Sequence, residues 1–523
     1  MKMAFLQQKT LLNSKNIAVL TAFVISGVYA AYCFSLSHST AALVFASIVI
    51  ACDIVLYVAI DQLYNRHILS VDKAFVIILS FLGLLFCFVF VPGSVPDEFY
   101  HYLASYRYSD SALFQQNDVT GLMMRADDAS FYNNALSSVL NQKSYSNLAD
   151  ACFLAQDTSP IFVEKWDGSD FGNNLPQQKL ASAIGILFGR LLGLGSYPVF
   201  YLGRLFNLGF FVVLVYFAVR VMPFGKNIMR VVAMLPMTLH LAASYSYDAG
   251  IIGMAFLLTA FCLKAIYGNG FIEKRTCVAI LVLTALLAPC KIVYFAISLS
   301  ALLIPSKRFS CKKNARLFKL GVIGLGVLAI VLIRMPALVS MSGVEAEEYT
   351  VSRGDEAGQF YTLSEVLNNP LKFILIFART AIVMADNYLY TMLGKSLGWF
   401  QEGIDAPWFF TIMLLLIVIA SSVPTPADKN VARPSHRIIF LLICCLIWLG
   451  LHLSMLIGWT FNTSPIIQGI QGRYFLPCLP LALLALRNST FICKRNISWA
   501  LMFGLLLLNS VYMIQVFSIA LAI

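Results

Sequence analysis

Charge is what this sequence has least of: Asp, Glu, Lys and Arg make up only 12% of its 523 residues, against roughly 25% in a soluble globular chain. That scarcity excludes an ordinary water-soluble protein of this length. The twelve cysteines form no CxxC pair and no Cys/His spacing, and all but Cys152 lie in or beside apolar segments. A disulfide framework and a zinc-type site are therefore excluded by pattern. Strict alternation of apolar and polar residues is absent from the apolar runs, which removes a transmembrane β-barrel. Internal repeats, low-complexity tracts and an appended soluble domain are lacking as well.

What remains is apolar: 59% of the chain, in stretches that reach or approach the ~20 residues needed to cross ~30 Å of hydrocarbon. An ionised side chain at bilayer depth costs at least ~2.5 kcal/mol on insertion scales, so charge is confined to the connections. The class is all-α integral membrane, a polytopic helical bundle. About thirteen spans are expected, at 17–36, 41–60, 74–92, 198–219, 231–247, 249–267, 276–291, 292–305, 320–336, 407–424, 438–458, 473–487 and 497–520. Five blocks follow: N-terminal spans in 1–92, a first large loop in 93–197 with interfacial helices, central spans in 198–336, a second loop with an interfacial or re-entrant segment in 337–406, and C-terminal spans in 407–523.

The net charge of +11 sits in short loops, which writes orientation and argues against nucleic acid as a partner. Lys2, Lys9 and Lys15 precede the first apolar run, whose length resembles an uncleaved signal anchor. The 306–319 loop holds Lys307, Arg308, Lys312, Lys313, Arg316 and Lys319 with no acid. By contrast, 93–179 carries eleven Asp/Glu against five Lys/Arg, and 337–370 carries six acids against Arg353 alone. Both acidic loops are expected outside the cytoplasm. That parity holds if 180–197, which contains Arg190, lies along the outer interface, and if 371–394, with Arg379 and Asp386, is interfacial or re-entrant.

The most informative stretch is Val95-Pro96-Asp97-Glu98-Phe99-Tyr100-His101, just as the third span ends. Pro96 suits a first helical position, and acids favour the first turn. Asp97 and His101 then share a helix face, although Ser94-x-x-Asp97 is equally a capping pattern. Other polar residues gather near the same surface: Arg204 with Asn207 about two turns into its span, Asp248 in Ser244-Tyr245-Ser246-Tyr247-Asp248, Lys291 with Tyr294 one turn later, and Arg473-Tyr474 in Gln471-Gly472-Arg473-Tyr474-Phe475. A cation near a helix end can simply snorkel, but ionisable groups at membrane depth are functional candidates by default. Asp53 lies mid-span without an assigned role, and His240 and His452 read as hydrogen-bonded core residues. Asp127-Asp128 suits a solvated turn as well as a cation site, and Arg353-Gly354-Asp355 is short enough to arise by chance.

Pro96-Asp97-Glu98-x-x-His101 resembles the Pro-Asp-Glu-x-x-His signature of a large bacterial family of uncharacterised multi-spanning membrane proteins. Arg204-x-x-Asn207, Ser246-x-Asp248, Lys291 and Gln471-Gly472-Arg473-Tyr474-Phe475-x-Pro477 look like its later landmarks, so the resemblance runs from about 90 to 487. That family is similar in layout to the GT-C glycosyltransferases. Here two spans precede the one leading to the motif, where the GT-C core usually has one, and Val95 stands at the first position of the usual Pro-Pro pair.

The resemblance implies an inverting glycosyltransferase of the bacterial inner membrane, facing the periplasm. It would move a sugar from a polyprenyl-phosphate donor to a glycan or lipid-linked acceptor. Asp97 would be the catalytic base, with Glu98 or His101 orienting it or the acceptor. Arg204, Lys291 and Arg473 would clamp the phosphate, and Asp248 would bind sugar hydroxyls. No cofactor is expected; a divalent cation is compatible but not indicated. Three alternatives stay open: a flippase or transporter for a lipid-linked saccharide, a polysaccharide polymerase or ligase, and a non-catalytic scaffold. A transporter would be expected to show paired Gly/Pro-broken helices in its two halves, and a polymerase to carry its major outer loop late in the chain.

Overall fold

Most of the longest apolar runs form long helices, while prolines such as Pro236 divide others. A computed structural model describes residues 2–113, 121–135, 139–164, 175–342, 351–353, 356–398 and 404–523. The N-terminal helices are α1 (Lys2–Ser37), α2 (Thr40–Asn65) and α3 (Val71–Val89). The 93–197 segment folds as α4 (Glu98–Ala112), β1 (Gly121–Arg125), α5 (Ala126–Ala135), α6 (Gln142–Ala149), β2 (Pro160–Glu164) and α7 (Pro176–Leu191). The strands pair antiparallel, with Gly121 opposite Glu164 and Arg125 opposite Pro160.

The centre comprises α8 (Ser196–Val221), α9 (Lys226–Ala233), α10 (Pro236–Ala242), α11 (Asp248–Tyr267), α12 (Lys274–Leu287), a short α13 (Phe295–Ser298) and α14 (Lys312–Ser342). A small hairpin of β3 (Val351–Arg353) and β4 (Glu356–Gly358) leads to α15 (Leu363–Asn368), α16 (Pro370–Val383) and α17 (Ala385–Leu393). The chain ends with α18 (Trp408–Ser421), α19 (Pro434–Gly458), α20 (Leu479–Leu486) and α21 (Ser498–Ala520). Gly354 and Asp355 of the Arg-Gly-Asp tripeptide, and the middle of the second acidic loop, lie outside the described residues.

The count of spans differs from the expected thirteen. Among the described residues eight helices are long and apolar enough to cross a membrane, or nine if the pair α16–α17, bent by 52°, is one span. The other expected spans become short pieces. Residues 231–247 divide into α9 and α10 at Pro236, whose ring denies the helix a donor and crowds the preceding turn. Thr238 Oγ1 donates to the Val232 carbonyl across the break (2.8 Å). Residues 276–291 and 407–424 give the 14-residue helices α12 and α18. Residues 292–305 give 3-10 turns around α13, and 473–487 a 3-10 turn followed by α20. Hydropathy counts apolar residues but does not register that a proline-broken segment has ceased to be one rod.

The bundle has two chemically distinct ends. At one, Asp72 at the start of α3 accepts from Lys226 (3.2 Å) and Arg230. Nearby, Asp428 accepts from the Gly225 amide (2.7 Å) and pairs with Arg487 (3.0 Å). The other end carries α4 to α7. Here α7 lies against α8 through small residues: a Cβ at Gly185 would come within 2.4 Å of the Leu202 carbonyl oxygen, the close approach that small residues permit between membrane helices. Its opposite face leaves Leu180, Ile184, Phe188 and Leu191 exposed. On the buried face Arg190 donates to Ser109 (2.6 Å) and Asp110 (2.5 Å) of α4. Within the apolar core Asp53 accepts from Ser510 (3.0 Å).

Candidate functional site

The site is built on the turn between α3 and α4. Gly93 adopts φ +81°, where a Cβ would strike the Ala135 carbonyl oxygen at 2.3 Å. Its amide donates to Glu98 Oε2 (3.2 Å). The expected first helical residue, Pro96, lies outside the helix, which starts at Glu98. Asp97 occupies the cap position in the left-handed region, φ 60° and ψ 11°, and its side chain makes no capping bond. It is the only residue of Val91–Phe99 that is exposed. Asp tolerates that conformation better than most residues. The carboxylate is therefore offered to solvent, and the capping interpretation does not hold.

Glu98 and Arg204 have other work. Both side chains are 0% exposed. Arg204 Nε and Nη2 donate to the two Glu98 oxygens at 2.8 and 2.6 Å. Nη1 donates to the carbonyls of Cys87 (2.8 Å) and Phe90 (2.5 Å), and Nη2 also to Val91 (3.2 Å). A guanidinium has five N–H donors, and all five are spent. Glu98 further accepts from the Tyr245 amide (3.3 Å). These two residues hold the α3–α4 turn against the loop before α11. In this structure Arg204, expected on a phosphate, and Glu98, expected in catalysis, pair with each other and with backbone.

Asn207 likewise binds backbone, donating to the carbonyls of Ser244 (2.7 Å) and Ser246 (3.1 Å). Tyr245 crosses α8 at Gly203, where a Cβ would lie 1.9 Å from its hydroxyl. These contacts deliver Tyr247 and Asp248. Asp248 accepts from Lys291 Nζ at 2.9 Å, and its other oxygen lies 3.9 Å from Arg473 Nε. Lys291 Nζ sits over the Tyr474 ring at 4.2 Å and the Tyr247 ring at 5.0 Å, positions in which aromatic faces stabilise a cation. Tyr294 donates to the Tyr474 carbonyl (2.8 Å) and so steadies this group. Gly472 is needed for close approach: its amide donates to Thr391 (2.8 Å), and a Cβ would stand 2.0 Å from the Tyr388 carbonyl oxygen.

His101 joins the cluster by packing edge-on against Tyr247, with ring centroids 4.9 Å apart. Its Nδ1 is buried without a hydrogen-bond partner among the described residues. Burial, reinforced by Lys179, Arg473 and Lys291, holds its imidazole well below the ordinary histidine range, so the ring is neutral. Lys179 of α7, which sequence reading did not single out, is wholly buried. It donates to the Tyr245 carbonyl (3.3 Å) and sits 5.4 Å from the Tyr247 ring. Burial pulls its ammonium well below the usual lysine range, with Asp248 opposing. The signal for it was a lysine on the small-residue face of α7.

The structure thus brings together Asp248, Lys291, Arg473, Tyr474 and His101, at the same end as Asp97. A groove of about 570 Å³ runs from Lys291 and Tyr474 along apolar side chains that include Val293, Leu451 and Ile457. Arg334, also missed by sequence reading, lines it and donates to the carbonyls of Pro289 (2.7 Å) and Cys290 (2.9 Å). Asp128 accepts from Arg125 (2.7 and 2.9 Å) and Tyr106 (2.8 Å), and Asp127 from two backbone amides, so that pair is engaged within the fold. His240 and His452 are hydrogen-bonded, to the Gly398 amide and to Trp448 and Tyr388. Among the described residues no group of three His, Cys, Asp or Glu side chains is placed to hold a metal ion.

No curated protein and no solved structure matches the chain. Residues 79–482 match the family described as "Predicted membrane protein (DUF2142)", and a match spanning most of the sequence places this chain in that membrane-protein family.

Proposed function

We propose that this protein is a membrane glycosyltransferase that takes a sugar from a polyprenyl-phosphate donor. The acceptor is a cell-envelope glycan or glycolipid on the non-cytoplasmic face of the bacterial inner membrane. The observation that carries the reading is the Asp248–Lys291–Arg473 cluster at the head of an apolar groove, on the same end of the bundle as an exposed, left-handed Asp97. An isoprenoid tail suits the groove. Lys291 and Arg473 supply positive charge where a phosphate leaving group gains negative charge. The acidic 93–179 loop and the basic loops at the opposite end support the non-cytoplasmic assignment.

In this reading an acceptor hydroxyl attacks the anomeric carbon and its proton passes to the Asp97 carboxylate. The bond between that carbon and the phosphate oxygen breaks with inversion, and polyprenyl phosphate leaves against Lys291 and Arg473. Asp248 orients Lys291 and is placed to accept from sugar hydroxyls. Glu98, Arg204 and Asn207 position the two loops that carry Asp97 and Asp248.

The test is incubation of purified protein in lipid nanodiscs with a panel of polyprenyl-phosphate sugars and envelope glycans, following released polyprenyl phosphate. Release that vanishes in Asp97→Asn, with lipid binding retained, is the expected result. Binding and translocation of the intact lipid-linked sugar without release would overturn it in favour of a flippase.

A further inference from the structure

We infer that the cavity enclosed by α5, α6 and the start of α8 is a saccharide subsite that takes one neutral sugar unit of a longer glycan. The cavity measures about 270 Å³, near the lower limit of ligand pockets, which run from about 300 Å³ upwards. Its walls are two helix faces. Asp127 and Asn134 stand two turns apart on one side of α5, and Asn147 faces them from α6. Side-chain amides both donate and accept, as the hydroxyl groups of a pyranose require. Asp127 Oδ2 already accepts from the amides of Gln156 (2.6 Å) and Asp157 (3.1 Å), which fixes the carboxylate and leaves Oδ1 for a hydroxyl donor.

The floor is aromatic. Phe131 is buried, and half-buried Tyr197 meets it edge-on with centroids 4.8 Å apart. Such rings suit the C–H face of a sugar while the tyrosine hydroxyl stays polar.

Charge separates this cavity from the groove at Lys291. Among the described residues no Lys or Arg lines it, so it lacks what a phosphate needs, and a single carboxylate is a poor cage for a cation. Exposed Asn134, Asn147 and Gln156 at its rim open it to water rather than to lipid. The walls are preorganised. Asn141 and Ser144 close a reciprocal capping box at the start of α6, and Asp128 ties α5 to Arg125 and Tyr106. Val91 and Pro92 line the cavity and also begin the turn that presents Asp97. A glycan seated here therefore abuts the segment carrying the proposed base. Naming that glycan the acceptor rests on the transferase reading; the affinity for sugar does not.

Saturation-transfer NMR on the full-length protein in nanodiscs tests this, with water-soluble neutral di- and trisaccharides of hexoses and N-acetylhexosamines as probes and inorganic phosphate as the anionic competitor. At least one saccharide should show transfer to its ring protons, undisturbed by phosphate. Its affinity should fall by about tenfold or more in Asn147→Ala and in Ala151→Trp, which fills the cavity. It should be unchanged in Asp97→Asn and Lys291→Met. Asn147 is exposed on its helix and Ala151 half-buried, so both variants should fold. Absence of transfer from every saccharide, or full transfer in Ala151→Trp, would overturn the inference. Sugar binding in a protein that releases no polyprenyl phosphate from any donor would defeat the transferase reading and leave this one standing.

Discussion

Arg204 of α8 and Glu98 at the start of α4 form a bidentate ion pair with both side chains withdrawn from solvent. Around it the carbonyls of Cys87, Phe90 and Val91 take the remaining guanidinium donors. Removing one partner of such a pair leaves the other buried and uncompensated, typically at about 3–5 kcal/mol. Glu98→Ala and Arg204→Ala are each expected to lower the thermal unfolding midpoint in detergent by several degrees or abolish expression. Arg204→Lys should fare little better, since three ammonium donors cannot replace a planar fork of five. An Arg204→Ala protein of native stability with weakened donor binding would restore the arginine to a phosphate role.

Lys291 is the cation best placed at the head of the apolar groove. Lys291→Met should weaken binding of polyprenyl phosphate by about tenfold, the worth of one charge-assisted contact of ~1.4 kcal/mol. It should also lower stability, because buried Asp248 is left with only Arg473 at 3.9 Å. A lipid-binding titration by native mass spectrometry reads this directly. Equal affinity in wild type and variant would remove Lys291 from the site.

Ser454 is exposed on the groove wall contributed by α19. Ser454→Trp should fill the groove and compete with a prenyl tail while leaving the thermal midpoint within about a degree, as surface substitutions usually do. Undiminished turnover of long-chain donors in that variant would show that the tail lies elsewhere.

Gly472 has no room for a side chain, with the Tyr388 carbonyl 2.0 Å from where a Cβ would stand. Gly472→Ala should displace Arg473 and Tyr474 together and eliminate activity, whereas Gly458→Ala, which meets open space, should not. Comparable activity in the two variants would contradict the packing of this loop on α17.

His101 gives a pH signature. Its folded-state pKa lies well below the ordinary value through burial and neighbouring cations, whereas the unfolded value is about 6.5. The unfolded chain therefore binds the proton more readily as pH falls below about 6.5, and the native state loses stability there. The unfolding midpoint should decline between pH 7 and pH 5, and His101→Gln should flatten that decline. Parallel curves for wild type and variant would refute it.

Sequence alone determined the membrane class, the segregation of basic and acidic loops, and eight of the long helices, because all three depend on composition along one stretch of chain. It also located the Asp97, Asp248, Lys291 and Arg473 segments, since a charge beside an apolar run stands out wherever the chain later goes. Tertiary structure alone decided what each charge does. Arg204 and Lys291 read alike in sequence, yet one meets a buried carboxylate and three carbonyls while the other meets one carboxylate and two rings at a groove. What Lys179 does was not legible because its partners, Tyr245 and Tyr247, are distant in sequence and meet it only in the folded bundle. Partner identity depends on helix packing between distant segments, and hydropathy along a single stretch carries no record of that.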